Sequence, residues 1–236
     1  MKKAICILCI KPDIKQIHFY KHLTSAYDVY FVCDNLKNTS TILEGIHFIN
    51  IDPSISLING FINSNTAIFP KTPIAWDKAL YYFSSVNTSY DNVWFIEEDV
   101  LVPSLKTVPY IDSKYGIEDL LVASHISYED EPLWLHWKQA INLTKPHYKS
   151  MVCAIRVSKR LLECIKEYAN KNKTLYFIEL LFNTLAAQNG LTIKKIPELS
   201  TITHKDKFEK SEIIDTNLYH PFKDLNVQET IHKMFM

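Results

Sequence analysis

The chain has 236 residues, of which 47% are hydrophobic and 22% are charged, so it can bury a sizeable core and does not have the composition of a disordered protein. Lys and Arg together number 26, as do Asp and Glu, and this balance gives no reason to predict a nucleic-acid or an anionic-membrane surface. We therefore expect a small-molecule or protein partner and no nucleic acid.

The N-terminal segment and the cysteines bear on the compartment. The apolar run over residues 4–10 is too short for a secretory signal and ends at Lys11 and Pro12, so we interpret it as the first strand. No stretch approaches the roughly 18 apolar residues of a membrane-spanning helix. The five cysteines lie in apolar surroundings, which favours reduced thiols over a disulfide framework. We expect a soluble, cytoplasmic protein without a membrane span.

In chain order, the first half of the sequence alternates predicted strands with predicted helices. Apolar runs rich in Val, Ile, Phe and Cys predict strands buried on both faces at 4–10, 29–33, 46–51, 93–96 and 120–123. Apolar residues at helical spacing predict helices over 14–26 and 73–86. Because strands joined by helices form right-handed crossovers, we predict an α/β fold with a mostly parallel central sheet flanked by helices.

The second half is predicted to extend this sheet within the same domain. We predict strands at 151–156 and 191–196 and helices at 159–170 and 175–188. Ser158 suits the start of the first of these helices, and Gly190 suits the end of the second. The remaining residues, 197–236, contain many charges and are predicted to form a tail packed over the sheet.

Glycine is scarce in this chain, which has only four. Neither of the standard phosphate-binding loops, GxGxxG and GxxxxGK[ST], occurs in the sequence, because the few glycines are too far apart to form either motif. A bound nucleotide would need another way to neutralise its phosphates. A metal ion held by carboxylates is the obvious candidate.

Three consecutive acids, Glu97, Glu98 and Asp99, follow the apolar strand at 93–96. On an extended backbone Glu97 and Asp99 point to one side, so the pair can share a ligand at the carboxyl end of the strand. Carboxylate oxygens suit Mg²⁺ or Mn²⁺. The alternative is a solvated acidic turn before Pro103.

The order of elements and the stretch YDNVWFIEEDVLVP at 90–103 resemble the GT-A family of nucleotide-sugar glycosyltransferases. The metal-binding motif of that family is D-x-D, with E-x-D and E-D-D variants, at the end of about the fourth strand of a Rossmann-like sheet. The resemblance implies one GT-A domain over 1–236, with a nucleotide-binding half (1–103) and an acceptor-binding half with a C-terminal tail (104–236). It also implies that Asp99 binds the metal and that Glu97 binds the metal or the ribose of the donor.

Two further segments resemble the same family, and they occur in the order along the chain that the family has. The stretch FIELLFNTLAAQNG looks like the helix that carries the general base of inverting enzymes, which gives Glu179 that role. The stretch NLYHPFK offers His220 as a metal ligand and Lys223 as a contact to the diphosphate. The alternatives are an exposed or salt-bridged helix acid for Glu179 and a core or surface histidine for His220.

Several more residues are candidates for donor binding. Asp34 follows the second strand, where an acid can bind a base or ribose, although a turn residue there is equally plausible. Lys11 follows the first strand, and Glu98 lies inside the acidic motif. Asp77 and Lys78, on the helix before that motif, either face the donor or form a solvated pair.

An aromatic segment and a glycine-free loop are candidates for the acceptor side. Trp134 and Trp137, with His136 between them, offer faces on which a sugar ring can stack, and core packing is the competing interpretation. Many GT-A enzymes have a glycine-containing loop near the acceptor. The stretch HYKSMVCAIRVSKR contains no glycine, so Ser150 or Met151 could line that site instead.

The predicted function is transfer of a sugar from a nucleoside diphosphate sugar of the UDP or GDP type to a glycan, lipid-linked or protein acceptor. The reaction is predicted to use Mn²⁺ or Mg²⁺ and, on the Glu179 assignment alone, to invert the anomeric centre. A metal-dependent nucleotidyltransferase or nuclease would also use clustered acids. A noncatalytic carbohydrate-binding subunit of the same fold is the alternative from a different class of protein.

Overall fold

The fold is built on a central sheet of eight strands. The computed structural model describes residues 1–34, 40–63, 72–140, 144–204 and 207–235. The elements of the first half are β1 (Lys3–Cys9), α1 (Ile14–Tyr20), β2 (Asp28–Cys33), β3 (Thr41–Leu43), β4 (Ile46–Ile49), α2 (Pro53–Ile58), α3 (Ala75–Tyr81) and β5 (Asn92–Glu97). Those of the second half are α4 (Thr107–Lys114), β6 (Leu120–Val122), β7 (Ile126–Ser127), β8 (Tyr148–Lys149), β9 (Ala154–Ser158), α5 (Lys159–Asn172), α6 (Ile178–Gln188), β10 (Ile193–Lys195) and α7 (Leu225–Phe235).

The strands lie in the order β10-β6-β9-β5-β1-β2-β4-β3. Neighbouring strands are parallel except at β9, which runs antiparallel to both β5 and β6, and at β3, which runs antiparallel to β4. The mostly parallel α/β sheet predicted from the sequence is therefore confirmed. Because β9 is reversed, its amino-terminal end lies at the same edge of the sheet as the carboxyl ends of β1, β2 and β5.

The sheet is buried on both faces because its central strands are apolar at almost every position. In β1 the residues from Ala4 to Cys9 are at most 3% exposed. Cys6 packs in the core on one face and Cys9 in the core on the other, as expected for strand residues three apart. The Cys9 Sγ lies 3.1 Å from the Sγ of Cys33 on the neighbouring strand, and these cysteines are free thiols.

Side-chain caps mark the starts of α1 and α5. The Asp13 carboxylate accepts a hydrogen bond from the backbone N–H of Lys15 at 2.8 Å and starts α1. The Ser158 hydroxyl accepts one from the N–H of Leu161 at 3.2 Å and starts α5, at the position the sequence predicts. Each cap satisfies a backbone donor that has no partner inside its own helix.

The structure differs from the sequence-based expectation in several places. The helices predicted over 14–26 and 73–86 are the shorter α1 and α3, and α2, α4 and β3 were not predicted. The predicted strand at 151–156 is β9, which begins at Ala154. The predicted helix at 175–188 begins only at Ile178. The segment after residue 197, expected to be a tail, contains α7, whose His232 stacks on Phe19 of α1 with ring centroids 3.8 Å apart. Within the described ranges no helix combines the length and the apolar character needed to cross a membrane.

A buried ion pair attaches α4 to the sheet on the side away from α3. Arg156 on β9 and Asp112 on α4 are each at most 6% exposed, and the Arg156 Nη1 lies 3.0 Å from the Asp112 Oδ1. The Asp112 carboxylate also accepts hydrogen bonds from Trp94 at 3.1 Å and Tyr27 at 2.9 Å, and Lys3 lies 3.1 Å from it. This set of partners compensates the desolvation of both charges.

Candidate active site

A cavity of about 510 Å³ opens at the edge where β1, β2 and β5 end. The carboxyl ends of parallel strands are the usual ligand sites of such sheets. The described residues that line it are Leu8, Cys9, Ile10, Gln16, Asp34, Ile74, Ala75, Trp76, Glu97, Glu98, Asp99, Lys223 and Leu225. All three acids of the 97–99 motif therefore reach the same cavity, together with Asp34 and Lys223.

Glu97 is held by α3 on one side and by the start of β9 on the other. Its Oε1 accepts a hydrogen bond from the indole Nε1 of Trp76 at 2.6 Å. Its backbone N–H donates to the carbonyl of Cys153 at 2.8 Å. The carboxylate is therefore fixed in direction before any ligand binds.

Glu98 points away from this pair of contacts and towards the end of β1. Its Oε2 accepts a hydrogen bond from the backbone N–H of Ile10 at 3.3 Å, and its own N–H donates to Leu8 at 2.9 Å. Its carbonyl accepts a hydrogen bond from Gln16 Nε2 at 2.7 Å. Burial, with a smaller contribution from the charge of Asp99, raises the pKa of Glu98. The side chain lines the cavity beside the residue that follows β1.

Asp99 meets His220, which lies far away in sequence. The Asp99 Oδ1 is 3.4 Å from the His220 Nε2, and the His220 Nδ1 is 2.6 Å from the carbonyl of Thr203. Because a carbonyl can only accept, Nδ1 carries a proton and Nε2 faces the carboxylate. Burial would raise the pKa of Asp99, but the hydrogen bond and charge of His220 and the charge of Lys223 together hold it below its usual value.

The backbone explains why His220 arrives at this position. Leu101 and Tyr219 exchange hydrogen bonds at 2.9 and 3.1 Å, and the N–H of Phe222 donates to the carbonyl of Asp99 at 2.6 Å. The segment around His220 therefore runs beside the chain that follows the acidic motif. His220 is 7% exposed.

A third side chain, Cys153, joins Glu97 and His220. A carboxylate oxygen of Glu97, the Sγ of Cys153 and a ring nitrogen of His220 all lie within 4.8 Å of one another. Oxygen, nitrogen and sulfur donors that converge beside a cavity fit a divalent cation. The sequence alone predicts only a reduced core thiol at Cys153. Its one sequence signal is that it stands directly before an apolar strand.

Glu179 lies in the first turn of α6, and its carbonyl accepts a hydrogen bond from the N–H of Ser150 at 3.0 Å. Burial raises the pKa of Glu179 to about 7, with Lys149 opposing the shift and the charge of Glu97 adding to it. The interaction with Glu97 indicates that Glu179 is near the metal-ligand candidates. The ion pair of Lys149 is with Glu131 at 2.7 Å, so Lys149 is shared between two acids.

The remaining donor-side candidates occupy three environments. Asp34 lines the cavity, and burial raises its pKa while Lys78 opposes the rise. Lys11 is exposed just after β1 and next to Ile10, a residue of the cavity wall. Lys11, Asp77 and Lys78 are not among the described residues that line the cavity.

Asp77 and Lys78 are buried behind the cavity wall, so the alternative of a solvated pair is wrong. They are 1% and 2% exposed. Asp77 caps α3 by accepting a hydrogen bond from the N–H of Ile74 at 3.0 Å, and burial raises its pKa to about 7. The Lys78 ammonium donates to the carbonyls of Cys33 at 3.2 Å and Asp34 at 3.0 Å. Both side chains thus shape the end of β2 and the start of α3.

Of the three aromatic candidates, Trp137 lines a second cavity, of about 460 Å³, whereas Trp134 and His136 are not among its described wall residues. Trp137 belongs to its wall but is only 5% exposed, and its Nε1 donates to the Glu131 carbonyl at 2.7 Å. His136 stacks on Phe177 with centroids 4.8 Å apart, and the Lys149 ammonium is 4.9 Å from the centre of the Trp134 ring. Core packing therefore accounts for much of this segment.

Ser150 and Met151, the acceptor-side candidates from the glycine-free stretch, are not among the described residues that line either cavity. Ser150 is 1% exposed, and its hydroxyl accepts a hydrogen bond from the N–H of Ser124 at 3.2 Å. Met151 is partly buried against the core on one face of the sheet. The Ser150 contacts hold α6 in place.

Comparison with solved structures identifies the fold. The chain is similar to the galactosyltransferase LgtC, solved in complex with donor and acceptor sugar analogs, with a TM-score of 0.51 and 11% identity over 99% of this chain and 96% of that chain. A structure of an active-site mutant of LgtC gives a TM-score of 0.49 at 11% identity, over 98% of this chain and 95% of that chain. No protein-family model and no curated protein sequence matches the chain. The protein has the Rossmann-like GT-A fold that the sequence predicts.

Proposed function

We propose that this protein transfers a sugar from a nucleoside diphosphate sugar to a hydroxyl group of a glycan, lipid-linked or protein acceptor, with Mn²⁺ or Mg²⁺ as cofactor. The observation that carries the proposal is the 3.4 Å approach of Asp99 and His220 beside the cavity at the strand ends of a GT-A sheet. This arrangement supports metal-dependent binding of a diphosphate group.

The metal would be held by Asp99 and His220, with Glu97 as a further ligand or as a contact to the ribose. These residues fit a cation because His220 Nε2 lies 3.4 Å from the Asp99 carboxylate, a ring nitrogen of His220 lies within 4.8 Å of a Glu97 oxygen, and Nδ1 of His220 is oriented by a backbone carbonyl. When bound, the ion would neutralise charge that develops on the departing diphosphate. Lys223, which is exposed on the cavity wall, would bind the same diphosphate.

The nucleotide is proposed to lie against residues 1–103. Asp34 and Glu98 line the cavity at the ends of β2 and β5, where they would bind the ribose or base. Lys11 would approach the nucleotide from the rim. Lys78 and Asp77 would act indirectly, because Lys78 binds the backbone carbonyl of Asp34 and Asp77 caps the start of α3 at Ile74, a residue of the cavity wall. Residues 104–236 would provide the acceptor side.

Glu179 is proposed as the general base that removes the proton from the acceptor hydroxyl. A group with a pKa of about 7 is well matched to this task near neutral pH. Its position at the start of α6 and its electrostatic interaction with Glu97 support that role. Direct attack by the activated hydroxyl would invert the anomeric centre, so inversion is part of the proposal.

The proposal is tested by nucleotide binding and by hydrolysis of the donor. Saturation of the protein with UDP or GDP at about 100 times Kd in the presence of Mn²⁺ should stabilise it by about 2.7 kcal/mol, roughly 5–10 °C in Tm. The protein should also hydrolyse one nucleotide sugar slowly in a Mn²⁺-dependent reaction. Asp99→Asn should lose this hydrolysis. Glu163→Gln, an exposed acid on α5, is the matched control.

The alternative functions correspond to other outcomes of the same experiment. Release of pyrophosphate from a nucleoside triphosphate, or cleavage of nucleic acid, would indicate nucleotidyltransferase or nuclease chemistry instead. Sugar binding without nucleotide-dependent stabilisation would indicate a noncatalytic subunit. A cytoplasmic location stays a prediction, and it is supported by the five free thiols, which suit a reducing compartment.

A further inference from the structure

Cys153 lies at the reversed end of β9, directly against the acidic motif. In the antiparallel pairing of β5 and β9, Ile96 is opposite Ala154, and the next pair along the ladder is Glu97 and Cys153. The N–H of Glu97 donates to the carbonyl of Cys153 at 2.8 Å. The backbone therefore fixes the thiol beside Glu97.

The surroundings of this thiol differ from those of an ordinary core cysteine. Cys153 is 7% exposed, and its thiol interacts electrostatically with Glu97, Asp99 and Glu179. Acidic charges near a nearly buried thiol repel one another and lose hydration. A cation bound between Glu97, Cys153 and His220 would compensate both costs.

The dimensions of the cluster match a metal site after a small contraction. Three donor atoms that are all within 4.8 Å of one another leave a central point within about 2.8 Å of each, compared with about 2.0–2.3 Å in zinc sites with nitrogen, oxygen and sulfur ligands. Side-chain movements of about 0.5–0.8 Å would therefore complete the coordination. His220 presents its Nε2 to this point because Nδ1 is bound to Thr203.

We propose that Cys153 is an additional, sulfur ligand of the metal assigned above to Asp99, His220 and Glu97, so that this centre prefers Zn²⁺ or Co²⁺ over Mg²⁺. The inference rests on the proposed function, because it concerns the same metal. A thiolate is a soft ligand that suits transition metals, whereas Mg²⁺ prefers oxygen ligands. On binding, the Cys153 S–H bond loses its proton to bulk water as the sulfur–metal bond forms.

The test is a titration of the purified full chain with Co²⁺, followed by absorption spectroscopy. We expect a near-ultraviolet band from thiolate-to-cobalt charge transfer in the native protein. Cys153→Ser should lose that band and bind Co²⁺ at least about tenfold more weakly. Cys164→Ser is the matched control, because Cys164 is a partly exposed thiol on α5, and this variant should keep the native spectrum.

The outcomes separate this inference from the proposed function. Co²⁺ binding that requires Asp99 and His220 but shows no charge-transfer band, or a band that survives in Cys153→Ser, would overturn the role of Cys153 and leave the metal-dependent function intact. If the native protein bound neither Co²⁺ nor Mn²⁺, both the role of Cys153 and the metal-dependent function would be wrong. Circular dichroism and the Tm of each variant, with Cys153→Ala as a second substitution, show whether a lost band reflects misfolding.

Discussion

The Asp99 carboxylate lies 3.4 Å from the His220 imidazole, although the two residues are far apart in the sequence. The contact forms because the segment around His220 pairs with the chain after β5, through hydrogen bonds between Leu101 and Tyr219. The acidic motif is therefore completed by a C-terminal residue. We therefore expect metal binding to depend on Asp99.

Asp99→Asn is expected to weaken Mn²⁺ binding by at least about tenfold, because the amide keeps the shape of the side chain but loses its charge. Isothermal titration with Mn²⁺, compared between the native protein and the variant, measures the change. Glu163→Gln removes one charge from an exposed face of α5 and should leave the affinity unchanged. Equal affinity in Asp99→Asn would show that the metal is held elsewhere.

Lys223→Ala is expected to lower the affinity for nucleoside diphosphates while leaving the Tm of the free protein unchanged. The Lys223 side chain is exposed on the cavity wall, so its removal costs little packing, but it takes away a charge that would face the diphosphate. The loss should shrink at high salt, since exposed charges are screened. Lys195→Ala, on the edge strand β10 at the far end of the sheet, is the control.

The pKa of Glu179 gives a prediction about stability and pH. Its folded-state pKa of about 7 is above the ordinary 4.5, so the folded protein holds this proton more tightly and loses stability as the pH rises from about 4.5 through 7. Glu179→Gln should therefore stabilise the protein at pH 8 by an amount on the order of 2 kcal/mol, and by less at pH 5.

Urea unfolding of Glu179→Gln and the native protein at both pH values measures this difference. Glu163→Gln should show no such dependence on pH. The same Glu179→Gln substitution should abolish sugar transfer, whose rate in the native protein is expected to rise with pH through about 7, because the base must be deprotonated. If Glu179→Gln were destabilised equally at both pH values, the assignment of Glu179 as a functional acid with a raised pKa would be wrong.

Asp112→Ala is expected to destabilise the protein by about 3–5 kcal/mol, because it leaves the buried Arg156 without its carboxylate partner. Replacement of both residues, in Asp112→Leu with Arg156→Met, should recover part of this loss, since the fully buried Arg156 charge is removed together with its partner. Chemical denaturation of both variants gives the two free energies. Mn²⁺ affinity in the double variant should be native, because the pair lies outside the cavity wall described here.

Much of the sheet was predictable because its central strands are continuous apolar runs. A strand buried on both faces needs this pattern, so β1, β2 and β5 were located to within one or two residues. The acidic motif was predictable for the same reason, since acids that directly follow a buried strand lie at its carboxyl end. The cap at Ser158 is likewise a local signal.

The reversed direction of β9 and the burial of Asp77 and Lys78 were not predictable. Strand direction depends on which neighbour a strand pairs with, and hydrophobic periodicity does not encode it. Asp77 and Lys78 have the residue types of a solvated face, yet α3 is covered on the side where they lie. The helix α7 was missed because its stability comes from packing on α1.

The local pattern of apolar and charged residues was therefore enough for the α/β class, the acidic motif and the order of elements, because each of these depends on neighbours in the chain. The convergence of Glu97, Asp99, Cys153, Glu179 and His220 was decided only by the folded protein. These residues come from four separate segments, and their distances are set by strand pairing and by the docking of the C-terminal segment. Such long-range contacts leave no trace in the spacing of residues along the chain.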